Sequence, residues 1–92
     1  PICTYLSGKW HLGKVRGSYP WDRGFDRSRG LLGGAADYYR PMPDRPFGEN
    51  GKLLRPEDLP EDFYMTDDIT KTALAYIDDA VKSRQPFFLY VA

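Results

Sequence analysis

Phe87-Phe88-Leu89-Tyr90-Val91, entered through Gln85-Pro86, is the stretch that decides the fold class. A continuous hydrophobic run, rather than an alternating one, marks a strand covered on both faces, as in a parallel sheet. The residues before it read as a helix from about Asp67 to Ser83. Ile69, Ala73, Tyr76, Ile77, Ala80 and Val81 recur at spacings of three and four and form one apolar face, while Lys71, Asp78, Asp79, Lys82 and Arg84 populate the solvent side. Thr66 is the expected N-cap, and Asp67 and Asp68 put negative charge on the first turn, where the helix dipole favours it. Gln85-Pro86 stops the helix, because the residue before proline is pushed out of the helical region.

At the other end of the chain, Ile2 to Trp10 reads as a strand, with imperfect alternation. Between it and the helix lies an excursion from Gly13 to about Phe63 that holds six of the eight prolines. Loops this long are uncommon inside compact domains unless they are functional or disordered. Tyr19, Trp21, Phe25, Tyr38, Tyr39 and Phe47 argue against disorder and for irregular backbone pinned by ring burial. Asn50-Gly51 signals a tight hairpin turn with Lys52-Leu53-Leu54 leaving it. Pro41, Pro43, Pro46, Pro56 and Pro60 keep regular ladders from forming nearby. Strand, excursion, helix, strand is a parallel crossover, so the expected class is α/β.

Composition narrows the function classes. Thirteen basic against 13 acidic residues give a formal net charge of zero, which disfavours nucleic acid or an anionic membrane as main partner. No apolar run approaches the roughly 18 residues that cross a bilayer. Cys3 is the only cysteine, so no internal disulfide forms; as a small strand residue it reads as structural.

The chemistry-bearing stretch is Gly8-Lys9-Trp10-His11-Leu12-Gly13, which sets a lysine and the only histidine two positions apart. On extended backbone, residues i and i+2 share a face, so Lys9 and His11 are expected to reach one site while Trp10 turns toward a core. A fixed ammonium beside a group that moves protons near neutrality suits an oxyanion. A phosphate-binding P-loop does not fit, because Trp10 stands where Ser or Thr belongs and Cys3 where the first glycine belongs. A lone histidine gives no metal-ligand spacing. The pairs Asp67-Asp68 and Asp78-Asp79 do not face each other on a helix and read as dipole charge and a solvated face. Asp37-Tyr38-Tyr39 and the group Arg23, Arg27, Arg29 read either as cleft lining or as ring packing and solvated charge.

The hexapeptide resembles the lysine–histidine motif of the type I, arylsulfatase-like sulfatases, and the likeness continues in order along the chain. Gly24-Phe25-Asp26, the run Gly33-Gly34-Ala35-Ala36-Asp37-Tyr38-Tyr39, Tyr64-Met65-Thr66-Asp67 and Pro86 to Ala92 are each similar to successive stretches of that family. The resemblance implies an internal segment, residues 1–92, of an alkaline-phosphatase-like α/β domain with a mostly parallel central sheet. It implies hydrolysis of a small-molecule or carbohydrate sulfate ester by a formylglycine nucleophile beside a calcium or magnesium ion. Lys9 would contact the sulfate as substrate-binding and stabilising cation, and His11 would be the catalytic acid–base group that helps expel sulfate. The family's Cys-x-Pro-Ser-Arg or Cys-x-Ala-Ser-Arg motif is not matched by Cys3-Thr4-Tyr5-Leu6-Ser7. The nucleophile and the metal ligands are therefore expected outside this segment, in the rest of the sulfatase domain, with no metal site within it.

On that reading the isolated segment is inactive and, lacking neighbouring strands, does not fold alone. A phosphodiesterase or phosphonate monoester hydrolase of the same superfamily, and a non-catalytic fragment, are the alternatives. The resemblance is compatible with a periplasmic, secreted or lysosomal-type compartment for the parent protein.

Overall fold

A computed structural model describes residues 2–42 and 45–92; Pro43, among the prolines expected to interrupt ladders, lies outside the described residues. Five strands form one sheet in the order β4-β3-β2-β1-β5, and one long helix packs on it. Strand β1 (Cys3–Ser7) is interior and pairs in parallel with both β2 (Arg27–Leu31) and β5 (Phe87–Val91). Beyond β2 the pairing turns antiparallel, through β3 (Phe47–Glu49) and β4 (Lys52–Leu53). The class is α/β, parallel at the centre as expected, with an antiparallel hairpin on one side.

Alternation along β1 explains the two layers. Tyr5 packs with Tyr76 and Ala80 of helix α1 (Met65–Ser83), and the Ser7 hydroxyl donates to the Ile69 carbonyl at 2.7 Å. Leu6 points to the opposite face, where Trp10, Tyr19 and Leu32 close over it, flanked by Trp21 and Phe25. The aromatic loop after Gly13 is thus the second cover of the sheet. A third cluster, Leu31, Met42, Phe47, Phe63 and Met65, fills the space between β2, β3 and the start of α1.

The excursion is more regular than its composition suggests, since it contains β2, β3 and β4. Arg27-Ser28-Arg29-Gly30 lacks the β-branched and aromatic residues by which strands are read. Its arginines are held from the helix instead. Arg27 pairs with Asp79 and lies 4.8 Å over the Tyr76 ring. Arg29 grips Asp68 with two bonds of 2.8 and 3.0 Å and reaches Glu49 at 3.3 Å. Burial works against the Arg29 charge, but the hydrogen bonds and charges of Asp68 and Glu49 prevail and hold its pKa above the ordinary value. The hairpin forms where Asn50-Gly51 announces it: both residues have positive φ, +48° and +91°, as a two-residue turn matched to strand twist requires.

Two expectations for the helix change. It begins at Met65, so Thr66 is not its cap; Thr66 lies inside the first turn, and its carbonyl accepts the Thr70 hydroxyl. The buried stripe is Met65, Ala73, Tyr76 and Ala80, whereas Ile77 and Val81 are 38% and 65% exposed. The helix meets the sheet through that stripe, and Ile77 and Val81 lie outside it. Likewise β5 is an edge strand, and Phe88 and Val91 are 54% and 51% exposed rather than covered.

Candidate active site

The strap that follows β1 is built on glycine. Gly8 has φ +130°, and a β-carbon there would collide with the Ala92 carbonyl. This close approach lets the backbone run on between its two neighbours after the strand ends. Gly8 N–H donates to Arg29 (3.1 Å), Lys9 N–H to Ala92 (3.2 Å), Trp10 N–H to Leu31 (2.8 Å) and His11 N–H to Leu32 (3.2 Å). Trp10 anchors the strap as expected: its indole N–H donates to the Ser18 carbonyl at 2.7 Å and its ring meets Phe25 edge-on at 6.0 Å.

Lys9 and His11 therefore stand just past the carboxyl end of β1, where open α/β sheets bind ligands. They do not share a face in the simple way that extended spacing predicts. The strand ends at Ser7, and His11 adopts φ +53°, which rotates its side chain away from the alternation. Lys9, half-buried, lines a cleft of about 280 Å3 with Tyr38, Thr66, Thr70 and Val91. His11 lines a neighbouring cleft of about 380 Å3 with Lys14, Gly33, Gly34 and Arg45. Its imidazole lies directly over Gly34, where a β-carbon would come within 2.5–2.6 Å of three ring atoms.

The other candidate groups separate. Asp37 caps a turn, its carboxylate accepting the N–H groups of Tyr39 (2.7 Å) and Arg40 (3.0 Å). Tyr38 forms part of the Lys9 cleft wall, and the Tyr39 ring packs tilted against Tyr64, centroids 4.9 Å apart. Arg27 and Arg29 are committed to the helix, and Arg23 is exposed after the short turn at Pro20–Asp22. The cations that do line the His11 cleft, Lys14 and Arg45, carried no sequence signal beyond Lys14 following His11 by three residues. Arg45 is 34 positions from His11, and only the topology joins them.

Cys3 opens β1 and donates its thiol to Gln85 Oε1 at 2.8 Å. The four residue steps of β1, about 13 Å, separate it from Ser7, where the strap begins, so it does not serve as a nucleophile at this site. Among the described residues no group of three or more His, Cys, Asp or Glu side chains could hold a metal ion. Asp68, Asp78 and Asp79 are each paired with a cation instead.

No family model matches the chain. It is 31% identical over 94 residues to an arylsulfatase of Klebsiella aerogenes, a match that takes in 97% of the chain and 20% of the relative. Sequence and fold are those of a sulfatase segment. This sulfatase segment spans about a fifth of the curated relative it matches. Among solved structures it resembles Ps i-CgsB, with a TM-score of 0.76 and 31% identity over 99% of the chain and 23% of that protein. The same protein in complex with k-i-k-neocarrahexaose gives 0.75 and 33% over the same shares. The PsFucS1 sulfatase from Pseudoalteromonas sp. shares the fold, with a TM-score of 0.59 and 22% identity over 97% of the chain and 23% of that protein.

Proposed function

We propose that the segment supplies Lys9 and His11 to the active site of a sulfuric ester hydrolase acting on a carbohydrate sulfate. The observation that carries this reading is the placement of both side chains on one strap beyond β1, within a chain matched along nearly its whole length by an arylsulfatase. The carbohydrate assignment draws on the oligosaccharide-bound Ps i-CgsB. Breaking a sulfate ester leaves negative charge on the departing oxygen and on the sulfuryl oxygens, and preorganised cations that meet this charge lower the barrier. Lys9 is the fixed cation. His11 exchanges a proton with the reacting group, the task for which an imidazole suits neutral pH.

The formylglycine and the calcium or magnesium ion implied by the resemblance find no holders here: Cys3 lies at the wrong end of β1, and no carboxylate cluster exists among the described residues. In this reading both belong to other parts of the enzyme, and the 92-residue segment alone is inactive. Exposed Phe87, Phe88, Tyr90 and Val91 on β5 are where further strands of the domain would add. The deciding experiment offers the full-length protein a sulfated sugar and a phosphodiester side by side. Sulfate release should dominate; a phosphodiester turned over faster would favour the phosphodiesterase alternative.

A further inference from the structure

Three tyrosines cluster at the Lys9 cleft. Tyr38 lines the cleft itself, its ring edge-on to Tyr64 with centroids 6.3 Å apart, and Tyr39 packs against the same Tyr64 ring. Rings that served only as packing would be buried, yet Tyr38 is 49% and Tyr39 64% exposed. Their backbone is held nonetheless. The Tyr38 carbonyl accepts the N–H of Met65, the first residue of α1, at 2.7 Å, and the Asp37 carboxylate engages the N–H groups of Tyr39 and Arg40. The rest of the wall suits a sugar that bears an anion. Thr66 and Thr70 bring hydroxyls, Ile69 and Val91 bring apolar surface, and no lining residue is a carboxylate that would repel a sulfate. At about 280 Å3 the cleft lies at the small end of ligand sites, with room for one sugar unit.

We infer that Tyr38, braced by Tyr64, is a stacking platform for the sugar ring whose sulfate meets Lys9. The inference rests on the sulfatase reading and deepens it, because it names the residue that selects a sugar over other small sulfate esters. An aromatic face carries partial negative charge, and the C–H bonds on one face of a pyranose carry partial positive charge. The two faces therefore attract while their apolar surfaces leave water. Tyrosine offers this contact area at low entropic cost, since it has only two side-chain torsions to fix. Position links recognition to reaction: Lys9 and Tyr38 line one cleft, so a ring stacked on Tyr38 presents its substituents to the ammonium.

The test is calorimetric binding to the full-length protein of two sulfonates that cannot be hydrolysed. One is a disaccharide in which a methylene replaces the bridging oxygen of its single sulfate ester. The other, methanesulfonate, carries the same anion and no sugar. The wild-type protein should prefer the disaccharide, and Tyr38→Ala should weaken the disaccharide about tenfold while changing methanesulfonate less than about twofold. Tyr38→Phe keeps the ring and should bind both as the wild type does. Tyr38→Leu keeps apolar bulk without a ring face, which guards against a fold lost to alanine, and should lose as much affinity as Tyr38→Ala. Equal weakening of both sulfonates, no weakening of either, a Tyr38→Leu variant that binds like Tyr38→Phe, or a wild type without preference for the disaccharide would each overturn the platform. Benzenesulfonate bound more tightly than the disaccharide would overturn it too, by assigning the ring to an aryl ester. Should the sulfonates separate as expected while the wild-type protein releases no sulfate from the parent ester, the hydrolase reading fails and the platform stands.

Discussion

The imidazole of His11 rests on the backbone of Gly34, so closely that a β-carbon at Gly34 would sit 2.6 Å from both ring nitrogens. Two stretches read from the sequence as separate elements of one resemblance, the lysine–histidine strap and the Gly33–Tyr39 run, are thus one piece of structure. Gly34 is the floor that fixes where His11 can point.

Gly34→Ala should therefore act through His11. The added methyl group must displace the ring, and displacements of about 1 Å can cost on the order of 10²-fold in rate. The expected outcome in the full-length protein is a fall in kcat for sulfate release of about tenfold or more, with an unchanged denaturation midpoint. Steady-state kinetics beside urea unfolding checks it; a stable variant with full kcat would show that the ring need not sit where it does.

The grip of Arg29 on Asp68 is the main polar tie between β2 and the first turn of α1, with side chains only 15% and 18% exposed. Removing Arg29 leaves the Asp68 carboxylate partly buried and unpaired, and removing Asp68 leaves the Arg29 guanidinium partly buried with Glu49 alone. Arg29→Ala and Asp68→Ala should each destabilise by about 3 kcal/mol, and the double variant by much less than the sum. A double-mutant cycle by urea unfolding measures the coupling. Additive single effects would mean the pair contributes nothing as a pair.

Tyr76 gives a pH prediction. Its hydroxyl is buried without a hydrogen-bond partner among the described residues, and burial pushes its pKa up to about 12 from 10.0, against a smaller downward pull from Arg27. The neutral phenol is the favoured form in the fold, so its contribution is fully present below pH 10 and is lost as pH rises toward 12. Tyr76→Phe keeps the stack on Tyr5 (5.0 Å) and removes the unpartnered oxygen. The variant should be as stable as wild type or about 1 kcal/mol more stable at pH 7, and its advantage should widen at pH 11. Unfolding midpoints at the two pH values check this; a variant less stable at both would require a partner for the hydroxyl.

What the sequence disclosed follows from how local each signal is. Helix α1, strand β5 and the Asn50-Gly51 turn declare themselves through periodicity, a hydrophobic run and a turn pair, all within a few neighbouring residues. Strand β2 does not, because its arginines are stabilised by Asp68 and Asp79, 39 and 52 positions away. Ile77 and Val81 match the helical period yet stay exposed, since periodicity marks a face and cannot say what lies opposite. At the site, Lys9 and His11 are legible as a compact motif. Their division between two clefts is not, because it depends on the left-handed backbone at His11. Lys14 and Arg45 meet only after β2 and the loop beyond it bring Gly33 beneath them.

The measurement that bears most directly on the account is the rate of sulfate release by the full-length protein carrying Lys9→Ala or His11→Ala. If Lys9 stabilises developing negative charge and His11 moves the proton, each variant should lose about 10²-fold or more in kcat/KM toward a sulfate ester, with its denaturation midpoint retained. Activity within threefold of wild type in both would contradict the assignment of this strap to the active site.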